Sequence, residues 1–161
     1  MCTLYNVFCA TLQNMEKVLL KELNIFAKKV LERVALLPQK AEPATVVALR
    51  GDLGAGKTTF VQALARELGV AEIVQSPTYV LMKSYPISYA HFTKLVHIDA
   101  YRLERSEEFA ALKPEQFLND PQTLVCIEWP ERVEGALPAP DITIDFSSEG
   151  AGEGERFVEI V

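Results

Sequence analysis

Eight residues, GDLGAGKT from Gly51 to Thr58, match the pattern G-x-x-x-x-G-K-[ST]. Glycines at 51, 54 and 56 let a backbone turn tightly enough to aim several N–H groups at one anion. A helix that starts near Lys57 adds the positive end of its dipole. The Lys57 ammonium can reach the β- and γ-phosphates of a nucleotide, and the Thr58 hydroxyl can ligate Mg²⁺. Asp52, Leu53 and Ala55 lend backbone to the cradle, and Thr59 follows in the first helical turn. The competing reading is a glycine-rich turn that binds nothing. The flanks argue against it: a continuous apolar run, ATVVALR, precedes the loop, and a helical pattern, TTFVQALAREL, follows.

A Mg²⁺ bound this way needs a second protein oxygen, usually from the end of a neighbouring buried strand. Two carboxylates qualify. Asp99 closes the apolar run LVHI, and Glu128 closes LVCI ahead of Trp129 and Pro130. Open α/β sheets place their ligands at the C-terminal ends of such strands. Taken singly, each acid reads equally well as a charge where a strand meets water. Beside a phosphate loop, at least one of them is expected to face the metal.

The elements that must position these residues follow from periodicity. Leu19, Leu23, Phe26, Val30 and Val34 recur at three- and four-residue steps, which predicts a helix from Met15 to Leu37, ended by Pro38. Strands are predicted at Ala44 to Arg50, at YVLMKSY, at LVHID and at TLVCIEW, and the helix after the loop should stop at Gly69. SEEFAALKPEQFLND reads as two short helical pieces broken before Pro114. The tail carries DITIDF and RFVEIV around a Gly/Glu-rich turn, a hairpin pattern. Together these predict a three-layer α/β fold of the P-loop NTPase kind, with a mixed, mostly parallel sheet. Arg50 is expected at the strand end rather than in the site.

Bulk properties bound the function. The chain has 161 residues, 49% of them apolar and 24% charged, which suits one domain, expected over 15–161. Residues 1–14 are expected to be a dispensable extension, with Met15 as a candidate true start. A formal net charge of -6 argues against a protein that grips nucleic acid by its own field. Cys2, Cys9 and Cys126 are an odd set with no C-x-x-C pair, which fits a reducing, cytoplasmic setting; Cys126 reads as a small core residue. No apolar stretch is long enough to span a bilayer.

GDLGAGKTTF, SPTYVL, HIDAYRL and IEWPER, in that order, closely resemble the TsaE (YjeE) family of small bacterial P-loop ATPases needed for threonylcarbamoyladenosine (t6A) modification of tRNA. The resemblance runs from about Leu20 to the C-terminus. It implies ATP and Mg²⁺ as ligands, with Lys57 and Thr58 holding phosphate and metal and Glu128 as the carboxylate near Mg²⁺. It further implies that Asp99 orders water or metal at the γ-phosphate, that Thr78 belongs to a nucleotide-sensing loop and that Trp129 borders the site. His97 is read as a packed strand residue, and Tyr101 and Arg102 as framing the strand end. The implied partners are a threonylcarbamoyl transferase subunit (TsaD-like) and its inactive paralogue (TsaB-like), so that tRNA is met only indirectly. Where the family commonly has a threonine early in its first helix, this chain has Leu23 and Asn24, which leaves the base contacts open.

Three other readings compete. A small-molecule kinase would need a lid with arginines, and Arg102, Arg105 and Arg132 are scattered. A GTPase would show D-x-x-G and N-K-x-D, and neither occurs. A scaffold that binds nucleotide without turnover shares every feature of the phosphate loop.

Overall fold

The computed structural model describes residues 15–39, 41 and 43–161. The expectation for residues 1–14 lies outside the described residues. Among the described residues, seven strands form one sheet: β1 (Glu16–Leu19), β2 (Thr45–Arg50), β3 (Met82–Tyr89), β4 (Phe92–Asp99), β5 (Thr123–Glu128), β6 (Ile142–Ser147) and β7 (Glu155–Ile160). Their spatial order is β1-β7-β6-β2-β5-β4-β3. The central strands β6, β2, β5 and β4 run parallel, and the flanking pairs β1/β7, β6/β7 and β3/β4 are antiparallel. The predicted α/β fold with a mixed sheet is therefore the observed one, and its parallel part is the centre that carries the site.

Helices α1 (Leu23–Leu36) and α2 (Lys57–Glu67) cover one face. Their apolar sides meet Val47, Leu49, Leu95, Leu124, Cys126 and Ile144 from alternate strand positions. Phe60 of α2 is fully buried between the rings of Phe26 and Phe146, each at 5.6 Å. Burial of such a side chain contributes about 1.5–3 kcal/mol. The opposite face carries a short 3-10 helix (Ser106–Leu112), the one-turn helix α3 (Glu115–Leu118) and a 3-10 turn (Pro130–Val133). There Phe109, Phe117, Leu118 and Val133 pack on Val46, Ala48, Val96, Ile98, Val125 and Ile127. The two faces use opposite parities of the same strands, which is why β2, β4 and β5 read as unbroken apolar runs.

One predicted boundary changes. Residues Glu16–Leu19 do not extend the first helix but form edge strand β1, paired antiparallel with β7. Leu19 fits the helical spacing, yet β7 offers unpaired backbone groups, and that long-range pairing wins over local periodicity. The strand expected at Tyr79 begins instead at Met82. Residues 78–81 form a turn in which the Val80 and Leu81 N–H groups donate to the Pro77 carbonyl. The segment ISYAHFTK is the tip of the β3–β4 hairpin. Helix α2 stops as expected: Gly69 takes φ 79°, its N–H donates to Arg66 and the Val70 N–H to Ala65, closing a Schellman motif. Among the described residues no helix is long and apolar enough to cross a membrane.

Candidate functional site

Parallel strands β2, β4 and β5 end together, and the glycine-rich loop from Gly51 to Gly56 leaves the end of β2. In β5 the two-residue period puts Leu124, Cys126 and Glu128 on the α2 side of the sheet; in β4 it puts Leu95, His97 and Asp99 there. Register pairs Asp99 with Glu128 across the two strands. Both carboxylates thus arrive at the foot of α2 for a geometric reason.

The loop is held in conformations that favour glycine. Gly51, Gly54 and Gly56 have φ of 131°, 79° and 104°. A Cβ on Gly51 would lie 2.2 Å from the Phe146 carbonyl oxygen. Ala55 is buried beneath the loop, and its N–H donates to the Asp52 carbonyl (3.1 Å). Lys57 is only 4% exposed. Its ammonium donates to the carbonyls of Gly51 and Asp52 and sits 3.9 Å from the centre of the Trp129 ring. Burial pulls its pKa below the ordinary lysine value, opposed by the charges of Glu128, Glu131, Asp99 and Asp52.

Thr58 and Glu128 meet. The Thr58 hydroxyl lies 2.9 and 2.8 Å from the two Glu128 carboxylate oxygens. Glu128 is 2% exposed and also receives a hydrogen bond from His97 Nε2 at 2.8 Å. Asp99 stands apart from that pair in its bonding. Its Oδ2 accepts from the Thr78 hydroxyl and from Ser76 Oγ (3.2 Å), and its Oδ1 accepts from the Tyr101 N–H (3.1 Å). Thr78 therefore touches a strand-end carboxylate directly, from a loop that carries exposed Tyr79 and Val80.

Trp129 takes a left-handed backbone conformation (φ 60°, ψ 51°), uncommon for a bulky residue and more so before a proline. Its N–H donates to Leu49 of β2, and its ring lies against Lys57 and 5.1 Å from the Tyr101 ring. The strained turn is what swings the indole over the cleft.

These residues enclose a cleft of about 270 Å³. Of the predicted site residues, Leu53, Gly54, Gly56, Lys57, Thr58, Thr59, Thr78, Asp99, Glu128 and Trp129 line it. Gly51, Asp52 and Ala55 do not line it: the Gly51 and Asp52 carbonyls receive Lys57, and Ala55 is buried within the loop. Larger grooves, of about 430, 450 and 360 Å³, lie beside β1, beside Pro138 and beside Phe109, but none of these holds the loop or the strand-end acids, so size does not locate the chemistry. Arg50 is engaged at the strand end as expected, in a two-pronged pair with Asp145 (2.6 and 2.8 Å). Arg102 stacks over Tyr79 and Arg105 pairs with Glu108, and neither lines the cleft.

His97 is the packed strand residue expected, but its bond to Glu128 escapes the sequence reading; the shared parity of His97 and Asp99 is the signal that could have found it. Ser76, which lines the cleft and donates to Asp99, escapes it too. Arg156, in β7, donates from Nη2 to the Gly54 carbonyl (3.1 Å) and packs near Gly56. That contact spans 102 positions, and no local pattern announces it.

The family model for the threonylcarbamoyl adenosine biosynthesis protein TsaE matches residues 24–157. The chain belongs to the TsaE family. Among TsaE proteins, each described as a tRNA threonylcarbamoyladenosine biosynthesis protein, that of Haemophilus influenzae is 38% identical over 75% of this chain and 73% of its own. That of Treponema pallidum is 40% identical over 74% and 83%. The TsaE of a Nostoc species is 33% identical over 93% and 88%. The crystal structure of Bacillus subtilis YdiB is similar with a TM-score of 0.59 at 28% identity, covering 89% of this chain and 84% of the other.

Proposed function

We propose that this chain is a Mg²⁺-dependent ATPase of the cytoplasm that serves t6A formation on tRNA through a partner transferase complex. The observation that carries the reading is the meeting of Thr58 and Glu128 beside Lys57 at the start of α2. The donor set fits the metal. Mg²⁺ takes hard oxygen ligands, keeps several waters and shares substrate phosphates, so it needs only one or two protein groups. Among the described residues there is no cluster of three or more His, Cys, Asp or Glu that would make an all-protein cage. Thr58 and Glu128 are the two that would hold it.

A Mg²⁺ held by Thr58 and Glu128 would supply positive charge to offset that of the nucleotide phosphates. The chain's own groups do the rest. Loop N–H groups and the α2 terminus bind the phosphates. The Lys57 ammonium trades its two carbonyl acceptors for phosphate oxygens, and Trp129 shields it from water. Asp99, held by Ser76 and Thr78, accepts a hydrogen bond from the water that attacks the γ-phosphorus as the bond to the ADP oxygen breaks. Because Thr78 and Asp99 are bonded, movement of that loop alters the water-orienting group. This supports an activity that is weak alone and raised when a partner docks.

The partners proposed are a TsaD-like transferase subunit and its TsaB-like paralogue. The net charge of -6 supports an indirect link to tRNA. The test is phosphate release with and without the two partners. Turnover should rise on their addition, and Lys57→Ala should lower it at least about a hundredfold, a loss of roughly 2.7 kcal/mol in transition-state stabilisation. ATPase activity unchanged in Lys57→Ala would refute the site.

A further inference from the structure

We infer that His97 is a positioning residue: through Nε2 it holds the Glu128 carboxylate in the orientation it presents to the cleft. This rests on the reading of Glu128 as a metal-side ligand.

His97 is fully buried and does not line the cleft, so it cannot touch nucleotide itself. The one hydrogen bond of its ring among the described residues joins Nε2 to Glu128 Oε1, at 2.8 Å, and Nδ1 has no partner there. A buried histidine kept for packing usually satisfies both ring nitrogens. Here a polar ring is buried at the cost of one unpaired nitrogen, and the single bond it makes goes to the carboxylate.

The geometry is directional. Thr58 Oγ1 lies within reach of both Glu128 oxygens, whereas His97 reaches only Oε1. Oε1 is thus the more crowded oxygen, and Oε2 keeps more free lone-pair capacity. Thr58 approaches Glu128 from the first turn of α2, while His97 sits in β4, in register with Cys126. The His97 bond therefore ties the Glu128 carboxylate to the neighbouring strand β4. Partners of this kind around a metal-binding carboxylate set its orientation, and their loss typically costs 10- to 100-fold in metal affinity.

The test uses the full chain as wild type and as His97→Gln, His97→Asn and His97→Leu. Glutamine puts an amide N–H where Nε2 was, asparagine falls short of it, and leucine removes it. Mg²⁺ is titrated in the presence of a non-hydrolysable ATP analogue, and the fluorescence of Trp129, the chain's one tryptophan, is followed. The Leu and Asn variants should need about 10- to 100-fold more Mg²⁺ for the half-maximal change, and Gln should stay near wild type. Nucleotide binding in chelator should be equal in all four. If the Leu variant does not fold, the Asn and Gln pair carries the comparison. Curves that overlay for Asn and wild type, or an equal shift in Asn and Gln, overturn the inference while leaving the function intact. A wild type whose nucleotide complex ignores Mg²⁺ overturns the metal reading itself, and the inference with it.

Discussion

A carboxylate at 2% exposure needs hydrogen-bond donors, and Glu128 has them in Thr58 and His97. Asp99, one strand over and in register, is served by a different set, Ser76, Thr78 and the Tyr101 N–H. Two acids that look alike in sequence are thus separated by their donors: one faces the helix that carries Thr58, the other a loop. Glu128→Ala should therefore remove the Mg²⁺ dependence of ATP binding while keeping the fold, at a stability cost of about 1–3 kcal/mol because the buried His97 ring loses its one partner. Circular dichroism and a Mg²⁺ titration by calorimetry would check both halves, and an unaltered metal dependence would reduce Glu128 to a strand end.

The junction of β2, the phosphate loop and β6 sets what the loop can tolerate. Gly51 leaves β2 with φ 131°, and the Phe146 carbonyl of β6 occupies the space a Cβ would need, 2.2 Å away. That contact involves backbone on both sides, so no side chain can rotate clear. Gly51→Ala should destabilise the protein by about 2–4 kcal/mol and lower nucleotide affinity, measured by urea unfolding and by calorimetry. Gly54 offers a control, since a Cβ there meets nothing within 4 Å and only its φ of 79° is strained. Strand β1 bears on the same loop: it pairs with β7, whose Arg156 holds the Gly54 carbonyl. The local spacing of Leu19 and Leu23 reads as helix, and only the pairing with a strand more than a hundred residues away makes Glu16–Leu19 extended.

Across the whole molecule, burial of titratable groups predicts how stability responds to alkali. Full burial pushes the Cys126 thiol from 9.0 up to about 12, with Glu128 adding to the rise. Burial also raises Tyr85, whose hydroxyl has no partner among the described residues. Each is an acid whose folded pKa lies above its unfolded value, so its protonated form favours the native state. That stability is complete below the unfolded pKa and is lost as pH rises toward the folded one. Stability to urea should therefore fall from about pH 9 upward, by about 1.4 kcal/mol per pH unit from Cys126 alone. Cys126→Ala should flatten the slope between about pH 9 and pH 11. An unchanged slope would mean that the thiol is already ionised in the native protein.

Several things about this chain were determined by sequence alone, because they are properties of contiguous residues. The glycine-rich loop at 51–56 needs only its glycines, the lysine that follows and its place between an apolar run and a helical one. The strand ends at Asp99 and Glu128 are visible as the last position of an apolar run, and the stop at Gly69 as a glycine after a periodic helix. Tertiary structure decided what depends on register and sheet order. It brought Thr58 to Glu128 across 70 positions, gave Asp99 to the Ser76–Thr78 loop, set His97 behind Glu128, laid Arg156 on Gly54 and turned Glu16–Leu19 into a strand. The reason is physical: backbone conformation and periodicity are local, whereas which donor finds which buried carboxylate is settled only when strands distant in sequence pair.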